Sequence, residues 1–138
     1  MAITGGCLCG AVRYSVAVEK PIATRICWCR DCQYFAAGNG TVNVIFPTSA
    51  VQVTGPLRAY LSTADSGNHM VRQFCEKCGT PVTSVAKERA HLTILRAGTL
   101  DDREVARPLL TIWSESAPTW ALLSDTLPKI ARQPPPAA

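Results

Sequence analysis

The chain has 138 residues, 47% of them hydrophobic and 17% charged, with a formal net charge of +4. This composition supports one packed domain and excludes a disordered chain, and no apolar run approaches the roughly 20 residues of a membrane-spanning helix. The arginines are scattered along the chain rather than gathered in a stripe, which argues against a nucleic-acid surface.

In chain order, the opening MAITGGCLCG lacks the basic-then-apolar pattern of a secretion signal. A cytoplasmic setting with reduced thiols is therefore expected. AVRYSVAV (11–18) alternates, with Val12, Tyr14, Val16 and Val18 on one face, and predicts a half-buried strand. TVNVIF (41–46) repeats the pattern with Val42, Val44 and Phe46. Further strands are expected over 50–54, 57–62, 69–74, 81–86 and 91–97, separated by turn-forming residues at 38–40, 46–47, 54–56 and 66–68. LDDRE (100–104) suits at most one helical turn. Short strands at regular spacing predict a single all-β domain over 1–132, and QPPPAA (133–138) reads as a disordered proline-rich tail.

The cysteines at 7, 9, 27, 29, 32, 75 and 78 fall into three tight groups, C-L-C, C-W-C-R-D-C and C-E-K-C. Close spacing in a reduced setting favours metal ligation over disulfides, because one turn then aims two sulfurs at one ion. C-x-C on a strand points both sulfurs to one face. Cys75-Glu-Lys-Cys78-Gly79 is a common zinc turn, with glycine allowing the sharp bend. Seven thiols divide as four plus three: Cys7, Cys9, Cys75 and Cys78 would close a structural zinc site, and Cys27, Cys29 and Cys32 would leave a coordination position open. Two alternatives remain at this level. His69 or His91 could complete the second set, although His91 suits a packed strand residue; or the three thiols could form a redox sensor.

GGCLCGAVRY (5–14), CWCRDCQ (27–33), FCEKCGTPV (74–82), GTLDD (98–102) and APTW (117–120) occur in this order. Together they resemble the glutathione-dependent formaldehyde-activating enzyme family, which also includes centromere protein V. The resemblance implies an Mss4-like β-tent of stacked antiparallel sheets. It implies a structural zinc on Cys7, Cys9, Cys75 and Cys78, and a catalytic zinc on Cys27, Cys29 and Cys32. It also implies the condensation of formaldehyde with glutathione to S-hydroxymethylglutathione, a carbon–sulfur lyase reaction. Two positions depart from the family pattern: Trp28 stands where a C-H-C histidine is usual, and Thr111 stands where a late histidine is frequent.

A thiol such as glutathione carries carboxylates, which the planar fork of arginine recognises. Arg30 inside the metal motif, Arg25 just before it and Arg72 before the second zinc turn are the candidates, with Asp31 as an orienting acceptor. Trp28 is either a pocket wall or core, and Trp113 and Trp120 suit core or lid packing. The partner expected is a small thiol, with no nucleic acid and no membrane. A non-enzymatic zinc module that binds a protein partner is the alternative, and its mark would be a filled fourth position.

Overall fold

The computed structural model describes residues 2–138. The strands are β1 (Ile3–Gly6), β2 (Arg13–Val16), β3 (Ala23–Cys27), β4 (Thr41–Pro47), β5 (Val51–Thr54), β6 (Leu57–Thr63), β7 (His69–Cys75), β8 (Pro81–Ala86), β9 (Leu92–Arg96), β10 (Leu110–Ile112) and β11 (Lys129–Ile130). The only α-helix among the described residues is α1 (Arg30–Phe35). The protein is therefore all-β, as its alternating pattern predicts. LDDRE leads into a short 3-10 turn at Arg103–Ala106.

The strands form two sheets. The small one has order β1-β2-β5, and the large one has order β11-β10-β3-β4-β9-β8-β7-β6. Neighbours pair antiparallel except around β10, which runs parallel to both β3 and β11. The period-two side chains of β2 and the residue before it decide how the sheets meet. Val12, Tyr14 and Val16 are buried and face Val44, Phe46, Val82 and Leu95 of the large sheet. Phe46 and Leu95 are fully buried, and each such side chain contributes about 1.5–3 kcal/mol.

A polar seam fastens the sheets together. Tyr14 Oη and Thr99 Oγ1 lie 2.8 Å apart. Gly5 pairs with Leu100 across the junction, and a Cβ at Gly5 would overlap both the Tyr14 hydroxyl and the Thr99 carbonyl. Only glycine permits that approach.

β4 lies in the middle of the large sheet and is buried on both faces. Val44 and Phe46 enter the core, while Asn43 and Ile45 alternate to the opposite face. The pairing register places Arg25 beside Asn43, Asn43 beside Arg96, and Arg72 beside Ser84. All of these side chains line one cavity on the face remote from the core. The sheet thus has an oily side that holds the fold and a charged side available for chemistry.

Candidate metal centres

Cys7 and Cys9 lie in the turn after β1, Cys75 ends β7, and Cys78 lies in the turn that leads to β8. The fold brings these four together, with every sulfur within 4.8 Å of the others. Cys7 Sγ is 3.6 Å from Cys9 Sγ, and Cys9 Sγ is 3.8 Å from Cys75 Sγ. A tetrahedral zinc with Zn–S bonds of about 2.3 Å would set its sulfurs about 3.8 Å apart, so the thiols fit that ion. Gly10 and Gly79, each just after a cysteine pair, have φ of +82° and +76°, left-handed conformations that glycine adopts without strain. The Val12 amide donates to Cys7 Sγ at 3.2 Å, and the Lys77 amide donates to Cys75 Sγ at 3.4 Å. The Thr80 hydroxyl lies 3.1 Å from Cys78 Sγ. Its hydrogen bond, together with backbone amides, holds the Cys78 thiol down at about 5.

Cys27, Cys29 and Cys32 are also mutually within 4.8 Å, and all three are buried. Three local features bring them together. β3 ends at Cys27, Cys29 caps α1, and Cys32 lies in the first turn, its amide donating to Cys29 Sγ at 3.4 Å. Gln33 ties the turn down by donating to the Trp28 carbonyl at 2.9 Å and the Ser116 carbonyl at 3.0 Å. No histidine, aspartate or glutamate joins this group among the described residues. His69 pairs with Glu88 and His91 bonds Ala138, both at exposed positions. The three sulfurs supply three corners of a tetrahedron.

The surroundings of this triad are cationic. Arg25, Arg72 and Arg96 are each less than 10% exposed and line the cavity with the cysteines. Arg96 is anchored on Asn43 Oδ1. Arg72 donates to Ser62 Oγ at 2.7 Å, approaches Asp31 at 3.5 Å and stacks over Phe35 at 5.0 Å. The Nε atoms of all three arginines are buried without a protein partner. Hydrogen bonds from Cys27 and Cys29, and then the charge of Arg96, pull the Cys32 thiol far down. The same crowding pushes Cys27 up, through its bonds to Cys29 and Cys32 and through burial. Packed thiols that cannot all ionise together suit a divalent cation, which would relieve that repulsion. Trp113 forms part of the wall, in a left-handed conformation (φ +55°) that is costly for a bulky residue.

The structure places the other sequence candidates as follows. Arg25 and Arg72 reach the cavity. Arg30 does not, for its guanidinium donates to Gln33 Oε1 at 2.6 Å and stacks over the Tyr34 ring at 5.1 Å, outside the cavity. Adjacency in sequence is misleading there, because residues two apart on a helix point about 200° apart. Trp28 is 3% exposed, lies against Gly40 and is absent from the cavity wall, which makes it a packing residue. Thr111 is buried and pairs with Ile26, on the opposite face of the sheet. Trp120 is exposed.

Residues 133–138 do not trail into solvent as their composition predicts. Pro134 is buried, and Gln133 and Ala137 line the cavity. Three residues at the site carried no signal in the sequence. Arg96, Asn43 and Arg89 meet the triad only through strand register and the turn after β8.

The fold is similar to that of a crystal structure of a Rhodobacter sphaeroides protein from structural genomics, with a TM-score of 0.58 and 20% identity over 71% of this chain and 87% of that one. No curated protein matches the chain at a significant level. No helix among the described residues is long and apolar enough to cross a membrane. The profile of the family described as "Glutathione-dependent formaldehyde-activating enzyme" matches residues 2–116, which include all seven cysteines, and the chain belongs to that family.

Proposed function

We propose that the triad cavity is a zinc site at which a thiol, glutathione by family membership, adds to formaldehyde or another small carbonyl electrophile. The observation that carries this reading is the contrast between the two cysteine groups: four thiols complete a tetrahedron, and three buried thiols open onto a cavity lined by arginines. In this reading Cys7, Cys9, Cys75 and Cys78 hold a structural zinc, and Cys27, Cys29 and Cys32 hold a second. Zinc on three thiolates supplies a soft Lewis-acidic centre suited to a thiolate or a polarised carbonyl.

The chain's own residues do the rest. Arg96, fixed by Asn43, balances the thiolate charge at the cavity floor. Arg72, fixed by Ser62 and Asp31, faces the reacting region and stabilises an oxyanion or a substrate carboxylate. Trp113 and Ile112 wall the site against bulk water. The thiol S–H adds across C=O, forming a C–S bond. The carbonyl π pair becomes a lone pair on oxygen, which takes the thiol proton to give a hydroxyl. Run in reverse, this is a carbon–sulfur lyase reaction. A cytoplasmic location suits a protein that depends on reduced thiols.

Elemental analysis of reduced, zinc-reconstituted protein should find two zinc ions per chain. Calorimetry with glutathione should show binding, and mixing with formaldehyde should yield S-hydroxymethylglutathione faster than the uncatalysed background. Thiol-dependent binding without turnover of formaldehyde would retain the site and discard that electrophile. One zinc per chain with three freely titrating thiols would discard the second metal site.

A further inference from the structure

Gln133-Pro-Pro-Pro-Ala-Ala138 crosses the mouth of the triad cavity. Trp113 Nε1 donates to Gln133 Oε1 at 2.9 Å, and His91 Nε2 lies 2.9 Å from the Ala138 main-chain oxygen. Between these anchors, Arg89 Nη2 donates to the Pro134 carbonyl at 3.3 Å, and Arg25 Nη2 donates to the Pro135 carbonyl at 3.4 Å. Consecutive prolines have carbonyls and no N–H, so this stretch offers the arginines acceptors only.

The two guanidiniums therefore point at adjacent peptide oxygens. Neither has a carboxylate within 4.0 Å among the described residues. Arg25 is 9% exposed, and its Nε has no partner at all. Its one bond to the segment, at 3.4 Å, is long compared with the roughly 2.7–2.9 Å of an arginine–carboxylate contact. Two converging cations without a counter-ion at the rim of a substrate cavity form an anion site held by neutral stand-ins.

Size points the same way. With the segment in place the cavity is about 100 Å³. That is room for about three waters, against roughly 300 Å³ or more for an ordinary ligand pocket. A tripeptide thiol needs more room than the cavity offers beneath the segment.

We propose that Arg25 and Arg89 form a carboxylate subsite of the triad cavity, covered by the backbone carbonyls of the 133–138 segment until a carboxylate-bearing thiol displaces them. The proposal rests on the thiol reading above, and three ligands separate the two. Glutathione has both groups, cysteamine has the thiol alone, and S-methylglutathione has carboxylates without a free thiol.

Binding is measured by calorimetry on zinc-loaded protein: the full chain, a variant ending at Gln133 (which keeps the Trp113 bond) and Arg89→Gln. Shortening the chain should tighten glutathione and S-methylglutathione by about tenfold and leave cysteamine unchanged. Arg89→Gln should weaken the two carboxylate ligands by about tenfold and spare cysteamine. Equal effects on all three ligands, or no effect of Arg89→Gln, would overturn the subsite. If the thiol reading alone is wrong, cysteamine fails to bind while S-methylglutathione keeps its dependence on Arg89. Arg89 is half-buried on a turn, so its variant folds independently of the shortened chain and carries the test if the latter is unstable.

Discussion

The two cysteine groups use the same atom for different ends. The four-thiol group draws Cys7 and Cys9 from the small sheet's hairpin and Cys75 and Cys78 from the turn between β7 and β8. An ion there would tie distant parts of the chain together. It is partly open to solvent at Cys9 and Cys78, and its supporting contacts are backbone amides and one threonine. The three-thiol group comes from six consecutive positions at one strand end and one helical turn, all buried, with arginines around it. An ion there would tie together little that the strand and helix do not already hold. Ligand count matters less in this contrast than what stands behind the ligands. One group is built into the tertiary structure, and the other is set in a charged pocket.

The largest expected effect follows directly. Cys78→Ser should abolish cooperative folding, because structural zinc binding is folding free energy of about 10 kcal/mol or more, comparable to the whole stability of a domain. Cys29→Ser should lose one zinc per chain and keep a cooperative thermal transition. Circular dichroism melts with zinc analysis on both variants check this. Matching collapse of both would place the triad among the structural sites.

Arg96 sharpens the contrast at intermediate size. It is nearly fully buried on Asn43, and its charge acts on the triad, most strongly on Cys32. Arg96→Gln should lower zinc affinity at the triad by about 10- to 100-fold. The four-thiol site takes its hydrogen bonds from the Val12 and Lys77 amides and Thr80 instead, and should hold its ion unchanged. Chelator competition resolves the two sites by their separate release. Equal weakening of both would mean that Arg96 supports the fold rather than the pocket.

The divided legibility of these residues has a physical cause. Val12, Tyr14, Val16, Val44 and Phe46 were readable because a strand alternates and one face must be buried. The partition of the cysteines was readable because close spacing fixes which sulfurs a turn can gather. Arg30 was misleading because the helical turn that brings Cys32 inward carries its neighbour outward. Arg96 and Asn43 were silent because only the β4–β9 register brings them together, across 53 residues of sequence. The composition of the 133–138 segment points to disorder, since proline-rich stretches lack N–H donors for a sheet. Its carbonyls nonetheless meet arginines that composition places nowhere. β10 and β11 were too short for alternation to show, and they join the sheet edge through parallel pairing.

The smallest effect concerns the fastening of the four-thiol half. Arg13 on β2 makes a forked contact with Asp101, at 2.5 Å and 3.1 Å, and Thr4 Oγ1 on β1 donates to the same carboxylate at 2.7 Å. The Asp101 amide donates to the Thr4 carbonyl at 3.0 Å, beside the Gly5–Leu100 bridge. The ion pair therefore clips the hairpin that carries Cys7 and Cys9 to the segment after β9. Both side chains are about half exposed, so solvent screening limits the pair to about 0.2–1 kcal/mol. Hydrogen bonds from Arg13 and then Thr4 hold the Asp101 carboxyl below its ordinary value. A depressed carboxylate stabilises the fold above its unfolded pKa of about 3.9, and that contribution fades as pH falls through the lower folded value. Asp101→Asn should thus cost at most about 1 kcal/mol at neutral pH, and the deficit against wild type should shrink as acid protonates the native residue. Added salt should shrink it as well. Denaturant titrations of both proteins across the acid range measure the difference. Since the clip belongs to the four-thiol half, zinc retention at Cys27, Cys29 and Cys32 should be the same in the two proteins. A triad that loosens with Asp101→Asn would show that the two halves are coupled through the core between the sheets.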